Sequence, residues 1–185
     1  MATQDWHPLD HISFASNHPP PNNKPFESFI EMENHVANRP HETMMQRLWP
    51  VHCVQETKGS ELVEELDVSN VDVFIKKGTD ARVEMYSAFS DSFGNLTGGH
   101  GGVSTDLAQL LKEKGIGQVY VVGVAGDYCV KFTAIDASKS GFKVFVVDEA
   151  VRCVDPETWD DVKKDFDQHH VDIVEMKEVQ RALGM

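Results

Sequence analysis

Short runs of β-branched and aromatic residues alternate along this chain with segments whose apolar residues recur at helical spacing. The runs predict strands at residues 71–76, 118–124 and 142–148, with a weaker strand at 171–175. The helical segments are residues 104–114, 127–140, 157–167 and 177–183. Because the strands are apolar at nearly every position, both faces of their sheet must be covered. The alternation therefore predicts an α/β fold with three α/β/α layers around a mainly parallel sheet.

The pattern predicts a single domain over residues 1–185, because this length supports one core and no internal repeat interrupts it. Residues 13–48 stand apart as a long loop excursion that carries at most one short helix, and they include three consecutive prolines at 19–21. Long loops of this kind often border a functional site.

Composition restricts the partners that the chain can have. It carries 17 Lys and Arg against 30 Asp and Glu, a net charge of −13, without any basic cluster. This excess of negative charge argues against nucleic acid or an anionic membrane as a binding partner. No apolar run approaches the length of a membrane span. The three cysteines, Cys53, Cys129 and Cys153, form no Cys-x-x-Cys pair. This cysteine usage favours a location in the cytoplasm, with the nucleus or the peroxisome as alternatives. The sequence leaves open whether the chain forms a homo-oligomer.

Cys129 lies where an α/β protein places its ligands. In Val-Val-Gly-Val-Ala-Gly-Asp-Tyr-Cys-Val (121–130), a strand run breaks at Gly123 and a helix begins near Asp127. Ligands of open α/β sheets bind at the carboxyl ends of the strands. A helix amino terminus also favours the thiolate, the form of cysteine that attacks carbonyl carbon. Position alone leaves a nucleophile and a buried structural thiol as equal alternatives.

A second set of candidates lies near the start of the chain. Asp5 and His7, two residues apart, project to the same side of an extended segment and can reach one cation. His52 is the best third donor, and an Asp with two His leaves coordination positions open, as in catalytic zinc or iron sites. Lys76 is the last residue of the strand at 71–76 and Lys77 follows it directly, at the edge where Cys129 is also expected. A cation there would depress the thiol pKa, although alternation along the strand does not decide which lysine supplies it.

Four motifs in this order make the chain similar to the nicotinamidases, a family of isochorismatase-like cysteine hydrolases. They are Asp-Trp-His-Pro (5–8), Trp-Pro-Val-His-Cys (49–53), Lys-Gly (77–78) followed by Tyr-Ser-Ala-Phe (86–89), and Gly-Val-Ala-Gly-Asp-Tyr-Cys-Val (123–130). The resemblance runs from Gln4 to about Ile173 and is interrupted only by the 13–48 excursion.

The resemblance implies hydrolysis of nicotinamide to nicotinate and ammonia in NAD salvage, through a thioester on the enzyme. Cys129 would be the nucleophile and Lys77 its activating cation. Asp5, His7 and His52 would bind one divalent metal, zinc first and iron or manganese as alternatives, and some relatives also use the histidine that matches His11.

Two further roles follow from the same resemblance. A cis peptide between Val124 and Ala125 would turn the amides of Ala125 and Cys129 inward as an oxyanion hole. Trp49, Tyr86 and Tyr128 match positions that line the pocket for the pyridine ring, although each could equally be an ordinary core aromatic.

One part of the family pattern has no counterpart here. The family's catalytic aspartate ends a first strand, yet only four residues precede Asp5. A truncated sequence, a natural short isoform and a partner that supplies the strand would each explain the difference, and of these we expect truncation at the amino terminus. An inactive or regulatory relative that binds metal or ligand without turnover, or a hydrolase of related small amides, are the alternative functions.

Overall fold

The computed structural model describes residues 1–35, 41–95 and 105–184. The strands in these ranges are β1 (Ala2–Asp5), β2 (Phe29–Glu33), β3 (Thr43–Arg47), β4 (Phe74–Lys77), β5 (Gln118–Val124), β6 (Lys143–Arg152) and β7 (Val171–Val174). The α-helices are α1 (Leu107–Glu113), α2 (Lys131–Lys139), α3 (Trp159–Gln168) and α4 (Met176–Leu183). These elements form two compact units, Met1–Met85 with Ser90–Asp106, and Tyr86–Phe89 with Leu107–Met185.

In the first unit, β1 pairs in parallel with β4, and the register places Asp5 opposite Lys77. This pairing continues past the strands, because the amide of Trp6 donates to the carbonyl of Lys77 at 2.9 Å. The core beside this pair is apolar and fully buried, which anchors the strand ends that carry polar residues. Its members include Phe14, Met32, Leu48, Ile75 and Met85, each 0% exposed.

Part of the predicted excursion at 13–48 is instead a β-hairpin. A single 3₁₀ turn at Ala15–Asn17 matches the expected short helix, but β2 and β3 pair antiparallel from Phe29 opposite Arg47 to Glu33 opposite Thr43. The residues of β2 alternate, with Met32 buried between exposed Glu31 and Glu33. Such alternation is typical of a half-buried strand. The acidic residues at the exposed positions make the segment look polar in the sequence, so the sequence predicts a loop here.

In the second unit, β5, β6 and β7 form a parallel sheet in that order. Fully buried residues of the sheet and helices, among them Val144, Val146, Ala134 and Phe166, form its core. The strand predicted at 118–124 is confirmed in full, whereas β6 runs on to Arg152. The helix predicted at 127–140 begins with a separate, wider turn at Gly126–Val130.

The α/β class predicted from the alternation of strands and helices is confirmed, with parallel pairing in both units. The predicted start of the helix at 104–114 lies outside the described residues, and α1 itself covers Leu107–Glu113. A single domain over residues 1–185 stays a prediction. Among the helices of the described ranges, none has the length and apolar character needed to cross a membrane.

Candidate active site

The register of β1 against β4 produces a buried ion pair. The carboxylate of Asp5 lies 2.5 Å from the ammonium of Lys77, whose side chain is only 4% exposed. Lys77 also donates to the carbonyl oxygen of Met85 at 3.0 Å. Burial alone would raise the pKa of Asp5, but the charges of Lys77, His7 and His52 outweigh burial and lower that pKa. Asp5 is therefore a carboxylate at neutral pH, and Lys77 is fixed beside it.

The two neighbouring lysines have different surroundings. The ammonium of Lys77 points inward to Asp5, whereas that of Lys76 lies 3.3 Å from the centre of the Trp6 ring. Alternation along β4 sends the two side chains to opposite faces. The structure thus separates the two lysines, which alternation along the strand could not, and Lys77, the lysine that the resemblance implied, is the one that belongs to the polar cluster.

His7 and His52 each present one ring nitrogen that can bind a metal. The Nδ1 of His7 donates to the carbonyl oxygen of Gly78 at 2.9 Å, and the Nδ1 of His52 donates to that of Pro50 at 2.8 Å. A carbonyl oxygen can only accept, so each proton is on Nδ1 and the lone pair is on Nε2. Ligand atoms of Asp5, His7 and His52 lie within 4.8 Å of one another. Mixed oxygen and imidazole donors with oriented rings fit a zinc-type ion.

Phe14 holds the two imidazoles in place. Its ring is 0% exposed, with its centre 5.7 Å from that of His7 and 5.4 Å from that of His52. The two histidine rings are themselves 5.0 Å apart and nearly perpendicular. Backbone bonds reinforce this arrangement, because the amide of His7 donates to the carbonyl of Cys53 at 3.0 Å. Residues 7 and 52 are distant in sequence, so tertiary packing alone brings them together.

A second buried group shares His7. Ligand atoms of His7, His11 and Glu84 also lie within 4.8 Å of one another, and all three residues are buried. Burial lowers the pKa of His11 to about 4, so this imidazole is neutral at neutral pH. Its Nε2 has no hydrogen-bond partner of normal geometry among the described residues. Sequence reasoning missed Glu84, whose signal is an acid between Val83 and Met85, two apolar residues that are buried.

Cys129 belongs to the second unit and lies in the turn between β5 and α2. The carbonyl of Ala125 accepts from the amides of Tyr128 at 3.1 Å and Val130 at 3.0 Å, which widens the turn beyond an α-helical one. The peptide between Val124 and Ala125 is cis. The thiol is therefore carried by a closed turn at the carboxyl end of a parallel strand.

The three predicted pocket aromatics fall in different units. The rings of Tyr86 and Tyr128 lie 5.1 Å apart in the second unit, where Phe132 stacks on Tyr86 at 5.5 Å. Trp49 belongs to the first unit and is 7% exposed, with the ring of Phe26 at 5.7 Å. Of the other candidates, Asp5, His7, His52 and Lys77 lie in the first unit, and Ala125 and Cys129 in the second.

Comparison with known proteins agrees with this arrangement of motifs. Residues 28–178 match the isochorismatase domain family. A nicotinamidase of Acinetobacter baylyi is 42% identical over 160 residues, which cover 84% of this chain and 64% of that protein. The yeast nicotinamidase structure superposes with a TM-score of 0.81 at 36% identity, covering 94% of this chain and 77% of that one. The structure of a pyrazinamidase of Pyrococcus horikoshii in complex with zinc superposes with a TM-score of 0.66 at 33% identity, covering 94% of this chain and 73% of that one.

The chain spans about two thirds of the length of the Acinetobacter baylyi relative, 64%, and more of the yeast structure. The family match nevertheless extends over most of the chain and includes His52, Lys77 and Cys129. The chain therefore belongs to the isochorismatase family and is a relative of the nicotinamidases within it.

Proposed function

We propose that this protein is a metal-dependent cysteine amidase that hydrolyses nicotinamide to nicotinate and ammonia in NAD salvage. The observation that carries the proposal is the cluster of Asp5, His7 and His52, in which both imidazoles keep Nε2 available. This cluster occurs in a chain whose relatives are nicotinamidases and whose thiol, Cys129, sits in the turn after β5.

Asp5, His7 and His52 would hold one divalent ion. Zinc is the first candidate, since a related pyrazinamidase was solved with zinc, and iron and manganese suit the same donors. A bound ion would supply a Lewis acid for the pyridine nitrogen and so orient the carboxamide. The residues of the chain then carry out the covalent chemistry.

The proposed reaction is acyl transfer through the sulfur of Cys129. The Cys129 thiol gives up its proton and the thiolate adds to the carboxamide carbon; the C–N bond then breaks as the amide nitrogen takes up that proton and leaves as ammonia. Water then adds to the thioester carbon, the C–S bond breaks, and nicotinate and the thiol are released. The overall reaction consumes one water and needs no oxidant or reductant.

The remaining candidates assist this reaction. Lys77, already held by Asp5 and the carbonyl of Met85, would supply the positive charge that favours the thiolate. The amides of Ala125 and Cys129 would stabilise the oxyanion, a contribution of about 10²–10³ in rate per donor. Trp49, Tyr86 and Tyr128 would contact the aromatic ring of the substrate.

Three broader properties belong to the same proposal. The odd count of three cysteines, without a Cys-x-x-Cys pair, supports a reducing compartment, with the cytoplasm as the first candidate. The substrate is a small molecule rather than a nucleic acid or a membrane, and residues 1–185 act as one domain. Pyrazinamide is a second candidate substrate because the Pyrococcus horikoshii relative is a pyrazinamidase.

The test is ammonia release from nicotinamide by the purified, zinc-loaded 185-residue chain. We expect turnover that Cys129→Ala abolishes while bound metal stays unchanged, and that Cys153→Ala retains. Competition between nicotinamide and pyrazinamide then ranks the two substrates. Turnover retained by Cys129→Ala would exclude the nucleophile assignment. Nicotinamide binding without ammonia release by a folded, metal-loaded chain would instead establish a binding protein.

A further inference from the structure

The carboxylate of Asp127 joins the turn that carries Cys129 to the chain segment that follows β6. One oxygen accepts from the amide of Val154 at 2.9 Å, and the other accepts from the amide of Asp155 at 3.0 Å. Both oxygens of one carboxylate are thus bound by two consecutive backbone donors. Hydrogen bonds to a charged acceptor are about twice as strong as neutral ones, so this is a firm connection.

Gly126 brings the two segments close enough for these bonds to form. A β-carbon at position 126 would lie 2.7 Å from Cγ1 of Val151, 2.8 Å from Sγ of Cys153 and 3.2 Å from the Trp159 ring. No side chain fits at these distances, so the turn rests directly on the end of β6 and on the start of α3. Gly126, which makes this close contact, and Asp127, which accepts the two hydrogen bonds, are consecutive residues.

We propose that Asp127 is a positioning residue, which fixes the Ala125–Val130 turn and thereby sets the place of the Cys129 thiol and amide. Its catalytic consequence rests on the amidase function proposed above. Asp127 does not act on the substrate in this view. It acts through the turn, because residues 126 and 127 lie inside the loop that the amides of Tyr128 and Val130 close on the carbonyl of Ala125.

An effect of the Asp127 charge and an effect of its anchoring bonds would change the rate in opposite directions when Asp127 is replaced by a neutral residue. A carboxylate two residues from a thiolate disfavours the thiolate, so an effect of charge alone would make a neutral residue at 127 improve the nucleophile. Loss of the anchor would instead misplace the nucleophile, and a displacement of about 1 Å costs about 10²-fold in rate. The direction of the change therefore identifies the role.

The test is Asp127→Asn, which keeps the size of the side chain but offers only one acceptor to the two amides. We expect kcat of the folded, zinc-loaded protein to fall about 10- to 100-fold, with KM within about twofold and bound metal unchanged. Asp155→Asn is the matched control, since it removes a neighbouring charge and leaves the Asp127 carboxylate in place, and it should keep kcat within about twofold.

A second variant and a second measurement make the test independent of folding and of turnover. Asp127→Glu keeps the charge and moves the carboxylate by one methylene, so kcat should fall here as well. Hydrogen exchange of residues 126–130 and 153–155 should speed up in either Asp127 variant and stay unchanged in Asp155→Asn.

Two outcomes overturn the proposal. One is a wild-type kcat per folded molecule in Asp127→Asn or, if that variant does not fold, in Asp127→Glu. The other is exchange of the Cys129 turn at its normal rate in the same variant. A wild-type chain without thiol-dependent turnover would instead contradict the amidase function, and the exchange measurement would still decide whether Asp127 anchors the turn.

Discussion

The imidazole of His7 occupies the space that a side chain on Gly78 would need. A β-carbon at position 78 would fall 2.5 Å from Nδ1 of His7 and even closer to its Cε1. The carbonyl of the same glycine accepts the Nδ1 proton at 2.9 Å, and its φ of +68° lies in the left-handed region that favours glycine. The glycine after Lys77 therefore both makes room for a candidate metal ligand and orients it.

This relationship predicts that Gly78→Ala weakens metal binding. The added methyl group must displace the His7 ring, and loss of ligand orientation typically costs 10–100-fold in metal affinity. Titration with Zn²⁺ against a chromogenic chelator measures the change. Gly94→Ala is the matched control, because φ is +76° there but nothing lies within 4 Å of its β-carbon. Zinc affinity in Gly78→Ala as high as in Gly94→Ala and wild type would contradict this role of Gly78.

His52 is expected to be the third metal ligand, so His52→Ala should lower bound zinc to well below one equivalent. Two donors, Asp5 and His7, are too few to hold the ion through purification. Elemental analysis after gel filtration gives the stoichiometry, with the exposed His170 replaced by Ala as the control. Full zinc occupancy in His52→Ala would point to His11 or Glu84 as the ligand instead.

The thiols of Cys129 and Cys153 should differ in reactivity. Burial and the charge of Asp127 raise the pKa of Cys153, so less of it is thiolate at any given pH, whereas Cys129 lies in the first turns before α2. Iodoacetamide between pH 7 and 8.5 should therefore label Cys129 first, as followed by mass spectrometry of the peptides. Faster labelling of Cys153 would contradict both assignments, and Cys129→Ala identifies the second peptide.

His11 should make the fold sensitive to acid. Burial lowers its pKa in the folded protein from 6.5 to about 4, so between these values the unfolded chain binds more protons. The free energy of unfolding must then decrease as the pH falls from about 6.5 towards 4. Urea unfolding at several pH values, with a chelator present, should show a shallower dependence in His11→Asn than in wild type. An equal slope would mean that His11 is not buried as a neutral imidazole.

Local sequence was sufficient for the α/β class and for the place of Cys129. The apolar run at 118–124 forms β5 without a change of boundary, because its β-branched residues give a continuous strand signal. Burial on both faces was expected but is not found, since Val121 alone is buried and Val122 and Val124 are 54% and 72% exposed. The turn after it follows from Gly123 and from the start of helical periodicity near Asp127. These features depend on neighbours along the chain, and a sequence displays them directly.

The candidate metal cluster was only partly visible in the sequence. Asp5, His7 and His52 followed from spacing and family resemblance. The local pattern left Lys76 and Lys77 open, the resemblance implied Lys77, and the register of β1 on β4 supplies the physical reason by placing Lys77 opposite Asp5. Glu84 joins His7 and His11 from 73 or more positions along the chain, and the alternation of β2 was hidden by Glu31 and Glu33. Composition and local pattern thus determined the type of fold and the place of the turn that carries Cys129. Tertiary structure decided which polar groups meet, because strand register and burial are set by contacts between residues that are distant in sequence.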